Sequence, residues 1–309
     1  MPVIRFILHR VLAAIPVLLA AATLTFFLIR FAPGGPFTQE RALPPETIAR
    51  LEAHYGLDAP LAVQYGRYLR NLLRGDLGPS IMYPDRGVNA IIAETFPVSL
   101  ELGFWALLVA LATGLTAGIL AALRPNAWTD HTMMGLAMTG ICLPAFVLGP
   151  LLVLVFALQL GWFNASGWTT WDDRVLPAIT LGLAYAAYIA RLTRSGMLEV
   201  LPQDYIRTAR AKGLRESRVI LLHALRPGIM PTVSFLGPAV AGLITGSFVT
   251  ETIFHVPGLG RMFVNGTFNR DHSLILGLVV FYAALVVAFN LLVDIVQAIL
   301  DPRLREGAA

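Results

Sequence analysis

Stretches of about twenty apolar residues recur along this chain, the length a helix needs to cross the hydrocarbon core of a bilayer. Backbone N–H and C=O groups find no water there, so helices that satisfy them internally are the default spanning element. The alternating short strands of a membrane barrel are not the pattern seen. Only 14% of the residues are charged and 56% are hydrophobic, whereas a soluble domain carries about a quarter charged residues. The expectation is an all-α membrane protein with about six transmembrane helices, at roughly 9–31, 97–123, 133–160, 175–195, 229–252 and 273–298.

Basic residues give the orientation. Apart from Lys212 every one is an arginine. One side of the proposed spans collects Arg5, Arg10, Arg124, Arg191, Arg194, Arg207, Arg210, Lys212, Arg215, Arg218, Arg226, Arg303 and Arg305, while the short loops opposite hold Arg174, Arg261 and Arg270. The positive-inside rule then puts both termini in the cytoplasm. The first apolar run, Val11 to Ile29, is too long for a signal-peptide core and passes unbroken through Ala20 to Ala22, so it reads as a retained span. Four segments follow: an N-terminal span (1–31), an external loop (32–96), a spanning core (97–298) and a cytoplasmic tail (299–309).

Within the external loop, Pro45 and Gly56 bracket one short helix, and a second is expected from Pro60 to Leu73 before Gly75. This ordered loop reads equally as a solvated cap over the external mouth or as a docking surface. In the third span, Gly140, Pro144, Gly149 and Pro150 predict a kink or an interruption. Cys142, the only cysteine, lies in an apolar run and is expected to be buried and inert.

The cytoplasmic loop at 196–226 is neither a tight turn nor a domain. Pro202 suits a helix start, Gln203 to Lys212 can run as helix, Gly213 breaks it, and Arg215 to Leu225 can form a second helix before Pro227. That second piece is amphipathic, with Val219, Ile220, Leu222 and Leu225 against Arg215, Arg218 and Arg226. A helix–Gly–helix along the membrane surface suits transmission of movement to the flanking spans; a basic helix holding anionic lipid heads is the other reading.

The run from Asp204 to Leu214 resembles the cytoplasmic coupling loop of permease subunits of ATP-binding-cassette importers. Where the wider superfamily has Glu-Ala-Ala and then Gly four residues on, this chain has Arg207-Thr208-Ala209 and keeps Gly213, as the peptide-importer branch does. Further matching fragments are Ala32 to Pro36, Gly75 to Gly78, Phe96 to Ser99, Met134 to Gly140, Glu251 to Phe254, Pro257 to Gly260 and Asp301 to Arg303. Each alone is weak, but their order and spacing make the chain similar to the B-type permease subunit of the oligopeptide, dipeptide and nickel permease family.

The resemblance implies the type I ABC importer permease fold in a bacterial cytoplasmic (inner) membrane. It implies a homologous second permease, two cytoplasmic ATP-binding subunits, an external solute-binding protein and a peptide cargo; dipeptide, nickel and glutathione importers have related permeases. It assigns contact with the ATPase to Asp204, Tyr205, Arg207, Thr208, Ala209, Arg210, Lys212 and Gly213, with the glycine turning the chain and Arg207, Arg210 and Lys212 supplying ionic contacts. No cofactor is expected on this chain, with ATP and Mg held by the partners.

The residues themselves agree that the chain is not an enzyme. The only lysine precedes Gly213, so no phosphate loop ending in Gly-Lys-Ser/Thr exists. No His-Glu-x-x-His or paired-cysteine metal site is present, nor a Gly-x-Ser-x-Gly nucleophile motif. An ion-coupled carrier would favour ionisable groups deep in the spans and an internal repeat, and neither is evident. Polar residues in the spans are candidates for a pathway or a subunit interface. Asn290, Asp294 and Gln297 share one face of the last span, Thr245, Ser247 and Thr250 lie in the fifth, and Glu101 and Glu251 sit toward outer ends where they reach the interface.

Overall fold

The computed structural model describes residues 2–32, 35–37, 44–245 and 247–300. A long first helix, α1 (Pro2–Phe31), leads to two short ones, α2 (Pro45–His54) and α3 (Leu61–Leu73). The spanning core holds α4 (Val88–Leu123), α5 (Trp128–Cys142), α6 (Ala145–Leu152) and α7 (Asp172–Val200). A surface helix, α8 (Asp204–Ala211), and a single turn, α9 (Glu216–Arg218), follow. The rest comprises α10 (Leu225–Gly228), α11 (Met230–Thr245), α12 (Phe248–Ile253), α13 (Leu259–Phe268) and α14 (His272–Leu300). Among the described residues five helices are long and apolar enough to span a membrane, or six if the bent α5–α6 pair counts as one span.

The third span is broken rather than kinked. Its halves meet at 106°, with Leu143 extended at the junction and Pro144 opening the second half. Pro150 is absorbed inside α6, and the chain then continues as π-helix over Val153–Gln159. Cys142, at the break, is exposed and not buried as its apolar setting suggested; the bend ends α5 and leaves its last turn on the surface.

α4 and α7 form the centre of the bundle. Their contact faces are built from small residues: Ala106, Ala110, Gly114 and Gly118 on α4 and Gly182, Ala186 and Ala190 on α7 are all buried. A Cβ on Gly118 would lie 2.6 Å from the Ala190 carbonyl oxygen, so the helices touch backbone to backbone. Such small-residue stripes let helices pack in lipid, where no hydrophobic force drives them together. α1 lies at the edge, packed on α14, with Leu12, Ile15, Leu24, Leu28 and Phe31 exposed to the surroundings.

Two segments differ from the sequence expectation. α4 begins at Val88 rather than near 97, taking in residues assigned to the external loop. Val88, Ile91, Ile92 and Thr95 recur at helical spacing and are buried, the first three in a cluster with Leu259, Leu274 and Leu278, so the helix starts on its own amphipathic stripe and carries Pro97 inside it. Pro227 does not end the second surface helix. The chain runs through π-helical turns over Val219–Ala224 into α10, which contains Pro227. Those wide turns end three residues before Pro227, which offers no N–H to the ladder. The predicted apolar stripe is split as a result: Val219, Ile220 and Leu225 face inward, whereas Leu222 is exposed beside Leu221.

Gly135 in α5 has open space where a Cβ would stand. Gly118→Ala should therefore destabilise the protein by roughly 1–3 kcal/mol, as overpacking does, while Gly135→Ala should be neutral or add up to about 1 kcal/mol. Thermal unfolding of the two variants in the same detergent checks the contrast.

Candidate functional site

The surface helix between α7 and α11 is held to the bundle by one face. Ile206 and Ala209, three residues apart, are buried against Ala122 of α4, Met197 of α7, and Val219 and Ala224 of the returning π-helical turns. Asp204, Tyr205, Arg207, Thr208, Arg210, Lys212 and Gly213 are exposed on the rest of its surface. Ala209 is thus an anchor, and it is the one residue of the expected contact set whose side chain points away from any partner.

The local fold follows from the sequence at the helix end. Gly213 has φ of +76°, the left-handed region that residues with a Cβ adopt at a cost. Its N–H donates to the Arg210 carbonyl at 2.9 Å and the Leu214 N–H donates to the Ala209 carbonyl at 3.4 Å. This is the paired stop of a Schellman motif, and Leu214 packs into the same cluster as Ala209, giving the apolar contact that accompanies it. No atom lies within 4 Å of where a Gly213 Cβ would be, so the glycine is needed for its backbone and not for room.

Arg210 does not stand free for a partner as expected. Its Nη2 donates to Glu216 Oε1 at 2.6 Å and its Nε to Glu216 Oε2 at 3.1 Å, bridging the glycine turn from one helix to the next. The pair holds the Glu216 carboxyl below the usual glutamate range and the Arg210 guanidinium above its ordinary value. The bridge is therefore formed at neutral pH and is lost only as the pH falls through the lowered Glu216 value. Arg207 makes a loose contact with Asp204 at 3.5 Å, both largely exposed, and Lys212 is exposed. These two remain the cations directed outward.

A second element of the site was not legible in the sequence. At the same end of the bundle Asp130, in the first turn of α5, is buried and accepts from Arg194 of α7 twice, Nε to Oδ1 and Nη2 to Oδ2, each at 2.7 Å. The Asn126 N–H donates to Oδ2 at 2.8 Å. This bidentate clamp fastens the start of the broken span to α7 ten residues before α8 begins. In the sequence Arg194 is one more cation of the basic side, and the partners are 64 residues apart, so no local periodicity joins them.

At the opposite end, Glu251 is fully buried and does not reach a membrane interface. It accepts from Ser99 Oγ at 2.8 Å, Ser247 Oγ at 2.5 Å and the Arg261 N–H at 2.9 Å, which offsets the cost of burying a carboxylate. Ser247 is committed to this network, and Thr250 is likewise buried inside the chain. Thr245 is half-buried, its hydroxyl donating to the Ala241 carbonyl at 2.8 Å. Glu101 pairs with Arg174 at 2.5 Å and stays partly exposed. Asp271 caps α14 through the Leu274 N–H at 3.0 Å and accepts from Ser80 Oγ at 2.5 Å, tying the external loop to the core.

On the last helix, Asp294 pairs with Arg10 of α1 at 3.3 Å, and Asn290 sits on the side facing Gly237 of α11. Both serve contacts within the chain. The Gln297 side chain lies outside the described residues, as do Arg303 and Arg305.

A bundle around a small-residue α4–α7 contact, with a glycine-terminated surface helix inserted between two spans, is the frame of a multi-span membrane protein. The chain belongs to the inner-membrane components of binding-protein-dependent transport systems, whose family it matches over residues 114–306, with the family's N-terminal region matched over 3–102. It is 51% identical over 304 residues to the oligopeptide transport system permease protein OppB of Haemophilus influenzae, a match covering 98% of this chain and 99% of that one. The Escherichia coli OppB is 50% identical over the same shares. The dipeptide transport system permease protein DppB of Bacillus subtilis is 45% identical over 97% and 98% of the two chains. Among solved structures, the inward-facing MetNI methionine ABC transporter superposes with a TM-score of 0.59 over 68% of this chain and 96% of that one, at 16% identity. An amino acid ABC transporter superposes with a TM-score of 0.52 at 16% identity, over 68% and 94%. These two share the fold, which is the ABC importer permease fold expected from the sequence.

Because Asp130 and Arg194 satisfy each other, Asp130→Ala and Arg194→Ala should each lower stability, and the double variant should cost less than their sum. A double-mutant cycle read by thermal unfolding should return a coupling of at least about 1 kcal/mol; additive losses would show that the two side chains act separately.

Proposed function

We propose that this chain is the membrane-spanning permease subunit of an ATP-driven importer that moves oligopeptides across the cytoplasmic membrane. The observation that carries the reading is α8, a short helix whose inner face is fixed to α4 and α7 while Asp204, Tyr205, Arg207, Thr208 and Lys212 stay exposed. A body pressed against that outer face moves α4 and α7 together, because Ile206 and Ala209 share one packed cluster with both.

In this reading a cytoplasmic ATPase subunit receives α8, and a second, homologous permease with its own ATPase completes the path. ATP and Mg bind on the ATPases and none on this chain. A solute-binding protein delivers cargo at the opposite end, near the loops fastened by Glu251 and Asp271. The basic residues around α8 favour a cytoplasmic position for that end and for both termini. The full-length likeness to oligopeptide permeases supports the cargo; the likeness to a dipeptide permease supports dipeptides as a second reading.

Gly213→Val forces a β-branched residue into the left-handed region without a steric clash. In the reconstituted complex it should abolish peptide-stimulated ATP hydrolysis while membrane insertion stays intact. Gly213→Asn, which tolerates that region better, should retain most of the stimulation. Unchanged stimulation in the valine variant would contradict the coupling role, as would ATP turnover by the purified chain alone.

A further inference from the structure

The edge of the bundle holds a polar cavity that transport leaves without a task. It has a volume of ≈ 180 Å³ and lies where the end of α1 meets α3 and the start of α14. Three buried polar atoms on its lining, Arg30 Nε, Gln64 Oε1 and Tyr68 Oη, have no hydrogen-bond partner. Buried polar atoms are paired in the great majority of cases, so three on one small cavity call for a ligand.

The demands of the three are specific. Arg30 has no carboxylate within ion-pair distance among the described residues, and its guanidinium lies 5.4 Å from the Phe26 ring. A cation near a helix end in a bilayer seeks an anion or a headgroup. Gln64 is more than nine-tenths buried. Its amide nitrogen donates to the Leu57 and Ala59 carbonyls at 2.8 and 2.7 Å, which fixes Oε1 toward the cavity as an acceptor. Asp76 adds a carboxylate to the lining and Arg67 a second guanidinium. The complement is therefore an anion and an N–H donor on one ligand.

The surroundings say where that ligand comes from. Leu12, Ile15 and Leu19 recur lower on the face of α1 that carries Phe26 and Arg30, 54%, 57% and 49% exposed. α3 closes it by laying Tyr65 and Tyr68 on Phe26, with Thr23 Oγ1 and Tyr65 Oη 2.7 Å apart. Acyl chains fit the apolar strip while a headgroup enters above it.

We propose that this cavity binds the headgroup of a zwitterionic phospholipid bearing a primary ammonium, with phosphate on Arg30 and Tyr68 and ammonium on Gln64 Oε1 and Asp76. The site seals α1 and α3 against the start of α14 at the lipid boundary.

The test is native mass spectrometry of the full chain, delipidated in mild detergent and titrated with phosphatidylethanolamine, phosphatidylcholine or phosphatidylglycerol. Phosphatidylethanolamine should bind best. Arg30→Gln should weaken it by roughly tenfold, the loss of one charge-assisted hydrogen bond. Tyr68→Phe, which keeps the ring stack, should weaken it several-fold and guards against misfolding of the arginine variant. Phosphatidylcholine, without N–H donors, should bind more weakly than phosphatidylethanolamine and show little dependence on Gln64→Leu. Equal binding of the three lipids by wild type and both variants would overturn the proposal. So would displacement by millimolar inorganic phosphate, which marks a free-anion site, or retention of no lipid at all, which leaves the cavity to water.

Discussion

The backbone contact between α4 and α7 sets the geometry of everything around it. With Gly114 and Gly118 set against the carbonyls of Ala186 and Ala190, and Ile189 and Thr193 filling the space beside them, the two helices meet at close range. Dispersion and close packing are what hold helices together in lipid, and both fall off quickly with separation. The pair therefore behaves as one stiff unit. α5 packs on it with Gly140 against the Leu183 backbone, and α11 with Gly242 against Tyr185, so the neighbouring elements are positioned by the same device.

α8 gains its mechanical meaning from that unit. It follows α7 directly and is packed on the last turns of both α4 and α7. The Arg210–Glu216 bridge and the left-handed Gly213 hold the turn between α8 and α9, so a push on the helix is not lost in a loose loop. The Asp130–Arg194 clamp extends the connection to the broken span. At the far end Glu251 gathers α4, α12 and α13 around one carboxylate. Between these two polar knots the buried polar side chains include Thr180, bonded to the Leu176 carbonyl, and Thr193 and Thr232, bonded to each other.

Much of this was legible in residue order, and the misses share a cause. The apolar runs gave the spans, Pro45 and Gly56 bracketed α2, and Pro144 marked the break in the third span, because each is a signal within a few residues. Gly213 was readable as a stop for the same reason. The start of α4 was missed although Val88, Ile91, Ile92 and Thr95 carry helical spacing, since Pro97 looked like a natural beginning. α13 went unseen within a glycine-rich stretch whose helix forms by packing Leu259 on Val88 and Ile91. The pairings of Asp130 with Arg194, Ser99 with Glu251 and Arg10 with Asp294 join residues far apart in sequence. They exist only once the helices are assembled.

In the proposed function, force enters through the outer face of α8. Tyr205, exposed in the first turn of α8, is the place to ask what touches it. A photoreactive phenylalanine analogue at position 205, activated in the assembled complex in native membranes, should form its adduct with a nucleotide-hydrolysing subunit. An adduct with lipid alone, or with a protein outside the cell, would contradict it.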